Sequence, residues 1–89
     1  MTQAWNADPS ASLKRRLGMS AKDTGDSDGE EDCPDIWELE NGDIAVIGRD
    51  LTHAYRSRLP AEVTVGQNER LVVIPGIMLR LAKPDIPDA

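Results

Sequence analysis

Between Ile36 and Gly48 two apolar-rich runs flank the pair Asn41-Gly42. Asn-Gly is the dipeptide that best tolerates positive φ at both central positions of a type I′ turn, so the pattern predicts a β-hairpin over 36–48. In its first run Ile36, Glu38 and Glu40 point one way and Trp37 and Leu39 the other. Trp37 and Leu39 are expected to face the core. If Ile36 and the Ile44/Val46 side are buried instead, Trp37 becomes an exposed binding anchor. Beyond the hairpin, Asp50 can cap a short helix over Leu51–Leu59, with Leu51, Ala54, Tyr55 and Leu59 on one stripe and Pro60 closing it. Glu62-Val63-Thr64-Val65 alternates, Gly66-Gln67-Asn68-Glu69 reads as a turn, and Arg70-Leu71-Val72-Val73-Ile74 has the β-branched character of a buried strand. Pro75 suits the first position of a helix in which Ile77, Met78, Leu81 and Ala82 share a face. Pro84 is expected to end that helix.

The front of the chain has a different texture. Ser12 can cap a short helix to Leu17, with Leu13 and Leu17 paired at i,i+4. From Asp23 to Asp32, six of ten residues are acidic and none is basic or apolar. Such a run has too little surface to bury to offset its ordering entropy. The expected fold class is therefore α+β. A small antiparallel sheet of three to four strands is packed by a C-terminal helix (33–84), preceded by a disordered acidic arm (1–32) and followed by a short tail (85–89).

Composition narrows the function classes. With 89 residues the chain makes one domain at most. A net charge of −6 argues against direct nucleic-acid binding, which needs a basic footprint, and three aromatic residues argue against a base-stacking surface. The single cysteine, Cys33, has no internal disulfide partner, which suits a reducing compartment. No stretch approaches the roughly 20 apolar residues that span a bilayer. Lys14-Arg15-Arg16 is not followed by the apolar core of a signal peptide. The expectation is a cytoplasmic protein with no membrane contact.

Several motifs lose their chemistry in context. Asp23-Thr24-Gly25 matches the aspartic-protease triplet, and Val46-Ile47-Gly48-Arg49-Asp50-Leu51 looks like the later Ile-Gly-Arg segment of retroviral-type proteases. No apolar strand precedes the triplet, however, and the spacing leaves no room for a flap. Asp26-x-Asp28-Gly29 aligns with the middle of an EF-hand loop, but the first ligand would be Thr24 and the twelfth Asp35, with no flanking helices. His53 lies off the apolar stripe of its helix, and Cys33 before Pro34 has no activating setting. The isolated glycines at 42, 48, 66 and 76 form no phosphate loop. No catalytic residue, metal site or cofactor is expected, and the chain is read as a non-enzyme.

From Cys33 to Ala82 the order of features resembles the BldB family of small actinobacterial regulatory proteins. The matching pieces are Cys33, Asn41-Gly42-Asp43, the strand Ile44-Ala45-Val46-Ile47-Gly48-Arg49-Asp50, then Leu71-Val72-Val73-Ile74-Pro75 and the helix after it. Two departures stand out: the stretch Leu51–Glu69 is longer than the family pattern, and the last helix lacks aromatic residues. The resemblance implies a non-enzymatic transcription regulator that self-associates, giving a homodimer, and binds a helix-turn-helix protein.

Two functional expectations follow. In the first, a small interaction protein binds a partner with a basic surface through an apolar patch that includes Trp37 or through an exposed strand edge, while Asp26, Asp28, Glu30, Glu31 and Asp32 supply the attraction. In the second, the chain is an accessory subunit of a larger enzyme or assembly. Residues 1–22 would then be its tether, with Trp5, Leu13 and Leu17 as apolar anchors and Lys14-Arg15-Arg16 in contact with an acidic partner.

Overall fold

A computed structural model of the protein describes residues 5–25 and 33–86. The fold is α+β, as the pattern predicts. In chain order the elements are β1 (Leu13–Arg16), α1 (Ala21–Thr24), β2 (Asp35–Leu39), β3 (Ile44–Ile47), β4 (Arg49–Asp50), α2 (Thr52–Tyr55), β5 (Val72–Val73) and α3 (Gly76–Ala82). Single 3-10 turns extend α2 over Arg56–Arg58 and α3 over Lys83–Asp85. Strands β1, β2 and β3 form an antiparallel sheet in that order, and β4 and β5 form a second, two-stranded ladder.

The first correction concerns residues 12–17, which form a sheet strand and not a helix. An isolated helix of that length is marginal, whereas as a strand each arginine meets a carboxylate on β2. Arg15 lies opposite Glu38 and binds it at 2.8 Å, and Arg16 lies opposite Trp37 and reaches Asp35 at 2.9 Å. The Leu17 N–H donates to the Ile36 carbonyl at 2.9 Å and the Glu40 N–H to the Ser12 carbonyl at 2.9 Å, so pairing continues past both ends of β1. The folded part thus starts well before Cys33 and includes α1, capped by the Ser20 side chain. Most of the acidic run, from Asp26 to Asp32, lies outside the described residues.

The 36–48 hairpin forms, with Ile36 opposite Val46 and Trp37 opposite Ala45. Its turn is one residue earlier than expected. The Gly42 N–H donates to the Leu39 carbonyl at 3.0 Å, which makes Glu40-Asn41 the central pair and leaves Gly42 at φ 89° as the left-handed residue after it. Asn41 then holds the Asp43 N–H through its side-chain oxygen at 2.9 Å, the local bond that favours Asn in turns.

The buried face is the Ile36 face. Ile36, Leu17, Met78 and Ala82 make the core, with Ile74 packed against it. Trp37 and Leu39 lie on the other face and are half-buried, so the preferred facing of the hairpin is corrected. The reason lies in β1: with Arg15 paired to Glu38 and Arg16 beside Trp37, the sheet carries a half-buried ion pair on its core side and a cation-covered indole on the other. Glu38 is 9% exposed and the Arg15 guanidinium compensates its charge.

Helix α3 presents Met78 and Ala82 to the core and leaves Leu79 outside, the stripe expected from sequence. Burying Met78 completely is worth about 1.5–3 kcal/mol. Pro84 does not stop the chain from turning; it sits inside the 3-10 turn, whose last residue is bound to β1. The Gly18 N–H donates to Oδ2 of Asp85 at 2.7 Å and the Arg15 guanidinium donates to the Asp85 carbonyl, so the fold reaches Asp85 and does not end at 84.

Two other expectations change. Glu62–Val65 is irregular, and of the run 70–74 only Val72–Val73 pairs as a strand. The helix expected over 51–59 shortens to α2 and its 3-10 turn. Asp50 acts one residue ahead of the cap, accepting from the Thr52 N–H at 3.0 Å and from the Thr52 hydroxyl at 2.7 Å. That same hydroxyl accepts from the Leu71 N–H at 2.7 Å, which ties the long connection 53–70 shut at its base.

Candidate functional site at the break between the ladders

β3 and β4 are two halves of one extended stretch, Ile44–Asp50, interrupted at Gly48. β2 pairs with the first half, while β5 pairs with the second through Arg49 opposite Val73 and Asp50 opposite Val72. Glycine is required at the junction. A Cβ on residue 48 would stand 2.7 Å from the Val73 carbonyl oxygen and 2.9 Å from Cγ2 of Ile74. Close backbone approach of this kind is a recurrent use of glycine inside a strand pattern.

The two ladders do not merge: Pro34 stands just before β2, and Pro75 follows β5 after Ile74. Between them lies a cavity of about 290 Å³. Cys33 and Pro34 line one side, Val73 and Pro75 another, and Ile47-Gly48-Arg49 the junction. That volume is at the lower end of ligand pockets and matches one bulky side chain or a fragment of similar size. Its walls are mainly apolar, and Arg49 is the one charged residue among the described residues that line it.

Two of the cavity's lining residues are exposed apolar side chains, Ile47 at 57% and Val73. Exposed large apolar side chains gathered in one region are more informative than scattered ones.

A second, wider depression of about 460 Å³ is lined by Asp50, Thr52, His53, Arg56, Gln67 and Arg70. Its polar groups are largely engaged in holding the loop: Asp50 and Thr52 bind each other, Arg56 donates to the Val65 carbonyl and Arg70 to the Gln67 carbonyl. The two hydrogen bonds from Thr52 hold the Asp50 carboxyl below the ordinary carboxylate range.

On the face of the sheet away from the core, Arg16 lies over the Trp37 ring at 4.8 Å and forks onto both oxygens of Asp35 at 2.9 and 3.0 Å. Burial opposes the charged form of Asp35, but the hydrogen bonds from Arg16 and Trp37 prevail and its carboxyl is held below the usual value of 3.8. The same bond raises the Arg16 guanidinium.

The sequence-derived candidates separate in space. Leu17 is 2% exposed and belongs to the core, which removes it as an anchor for a partner. Leu13 is exposed on β1, and Trp37 is half-buried beneath Arg16. Asp26, Asp28, Glu30, Glu31 and Asp32 lie outside the described residues. In the chain, however, they run directly into Cys33, a wall of the cavity. Sequence reasoning missed the cavity itself. The available signal was Gly48 in the middle of an otherwise extended apolar stretch, with a proline before one paired strand and another after the second.

Among the described residues no three of His, Cys, Asp and Glu are grouped to hold a metal ion, and no helix is long and apolar enough to cross a membrane. No protein-family model, curated protein or solved structure matches the chain.

Proposed function

We propose that this chain is a non-enzymatic, regulatory interaction protein that takes one apolar side chain of a basic protein partner into the cavity between its ladders. The single observation that carries the reading is the placement of this cavity. It is an apolar recess in an exposed apolar margin, entered in sequence directly from the acidic residues Asp26–Asp32. A buried anchor side chain supplies most of the affinity in such an interface, and opposite charge accelerates encounter and sets the register. A helix-turn-helix transcription regulator has the required basic surface and is the partner class to which the BldB-like pattern points. Attachment as an accessory subunit through a tether of residues 1–22 is the less favoured reading, because that segment contains a sheet strand and a core residue.

The test compares affinity capture from host lysate by the wild-type chain and by Ile47→Asp, at low and high salt. Ile47 is largely exposed, so the substitution alters the cavity rim more than the core. The expected result is a basic protein retained by the wild type, released by salt and lost with Ile47→Asp. The same proteins captured equally by both chains would exclude the cavity.

A further inference from the structure

We infer that the polar depression at the base of the connection 53–70 is a second binding site, which takes the phosphate of a small hydroxylated phosphate ester between Arg56 and Arg70. It shares no lining residue with the cavity between the ladders, and the inference does not rest on the function proposed for that cavity.

Charge singles the depression out. The chain as a whole carries −6, yet the six residues around this recess of about 460 Å³ are Asp50, Thr52, His53, Arg56, Gln67 and Arg70. Two guanidiniums and an imidazole share it with a single carboxylate. Glu69, the acid next in sequence to Arg70, is not part of the lining, and its Oε1 accepts from the Gly66 N–H at 2.8 Å. At physiological ionic strength the fields of more distant carboxylates are screened over about 8 Å, so an arriving anion responds to the local charge.

The two arginines are positioned by backbone oxygens on the two sides of the loop. Arg56, in the turn after α2, donates from Nη1 to the Val65 carbonyl at 3.4 Å. Arg70, where the loop returns, donates from Nη1 to the Gln67 and Glu69 carbonyls at 3.0 and 2.6 Å. Each guanidinium is thus oriented through one nitrogen, and its Nε and Nη2 bond no described residue. Such forked donors match the oxygens of a phosphate. The floor beneath them is fixed by Thr52, which is 7% exposed. Its hydroxyl donates to Oδ1 of Asp50 at 2.7 Å and accepts from the Leu71 N–H at 2.7 Å, which keeps both limbs of the loop, and both arginines, on one recess.

Asp50 decides what the phosphate is attached to. Thr52 bonds only its Oδ1, and Oδ2 accepts from no described residue. A charged acceptor in this place opposes a bare anion but binds a hydroxyl carried beside the phosphate. The side-chain amide of Gln67, also unbonded among the described residues, adds a donor and an acceptor. No aromatic ring is among the described lining residues, so nothing there stacks a nucleobase. The volume lies within the range of small-molecule sites and suits a compound the size of a sugar phosphate.

The experiment is a ¹H–¹⁵N NMR titration of the full chain at constant ionic strength. The probes are ribose 5-phosphate, inorganic phosphate and ribose, each from about 0.1 to about 20 mM, a range that brackets weak affinities. Ribose 5-phosphate should give saturable shifts at the amides of 52–56 and 67–70, with an affinity of about 1 mM because exposed charges bind weakly. Inorganic phosphate should bind about tenfold more weakly, and ribose not at all. Arg56→Gln and Arg70→Gln should each weaken the ester about fivefold or more. Arg58→Gln is the control: its Nε is on the Ala54 carbonyl at 3.3 Å, its guanidinium is 4.3 Å from the centre of the Tyr55 ring, and binding should not change. Asp50→Asn keeps the Oδ1 acceptor and should bring the ester and inorganic phosphate to similar affinity. The amide spectrum shows that each variant is folded. An absence of saturable shifts with ribose 5-phosphate would overturn the site. So would an Arg58→Gln effect as large as those of Arg56→Gln and Arg70→Gln, which would mean general charge attraction. Inorganic phosphate bound as tightly as the ester by the wild type would overturn the ligand class and the part given to Asp50.

Discussion

Gly18 has φ 82°, and a Cβ there would stand 2.9 Å from the Ala82 nitrogen and 3.0 Å from the Leu81 carbonyl carbon. Both the backbone conformation and the space therefore call for glycine. Gly18→Ala should destabilise the protein by more than about 1 kcal/mol, read from the urea midpoint. Gly25, also left-handed, has open space around its α-carbon, so alanine there meets only the backbone penalty and should cost less. Asp35 gives a prediction in pH. Its folded pKa lies below its ordinary value, so its contribution is present above the normal carboxylate range and is lost as pH falls through the lowered folded value. Asp35→Asn should therefore be less stable than the wild type at neutral pH, and the gap should close in strong acid, where both side chains are uncharged. A gap that persists unchanged down to pH 2 would mean that packing, not charge, is what Asp35 provides.

Strand β1 is the element on which the rest depends, since it supplies one edge of the sheet and leads directly into the core residue Leu17. Deleting residues 1–22 removes both, and the remaining chain should lose its cooperative unfolding transition by circular dichroism. Leu17→Ala and Met78→Ala should each cost about 2–5 kcal/mol, because both side chains are buried with little room for neighbours to close in. Much of this scale was legible in the sequence. The hairpin, the α+β class and the Met78–Ala82 stripe follow from periodicity and turn residues. β1 was not, because Leu-Lys-Arg-Arg has no strand pattern of its own and becomes a strand only through the carboxylates of β2. The facing of the hairpin was hidden for the same reason. Trp37 is the most apolar-looking residue of its run, yet Arg16 can cover an indole while Ile36 needs the hydrocarbon of Leu17 and Met78. The cavity depends on a gap between two ladders, and no single stretch of sequence contains both sides of it.

For the molecule as a whole, charge and apolar margin act at different ranges. At physiological ionic strength screening sets in over about 8 Å, so acidic residues influence the approach of a partner more than its final seating. Replacing the acidic residues from Asp23 to Asp32 by Ser and Asn should slow association with a basic partner and flatten its salt dependence, while changing dissociation little. Stopped-flow binding at several salt concentrations separates the two rates, and an unchanged association rate would remove these residues from the mechanism. Ile47→Asp should show the converse, faster dissociation with nearly normal association.

The bond from Gly18 to Asp85 and that from Arg15 to the same residue join positions 67 and 70 residues apart in the chain. On a ribosome, β1 emerges long before either partner exists. The hairpin of β2 and β3 can close locally, but β1 cannot be held at its far corner until residue 85 has left the exit tunnel. Synthesis should therefore pass through a stage in which an apolar hairpin is complete and its cover is not. Contacts so distant in sequence are slow to form. The nascent chain would spend that interval as a substrate for chaperones.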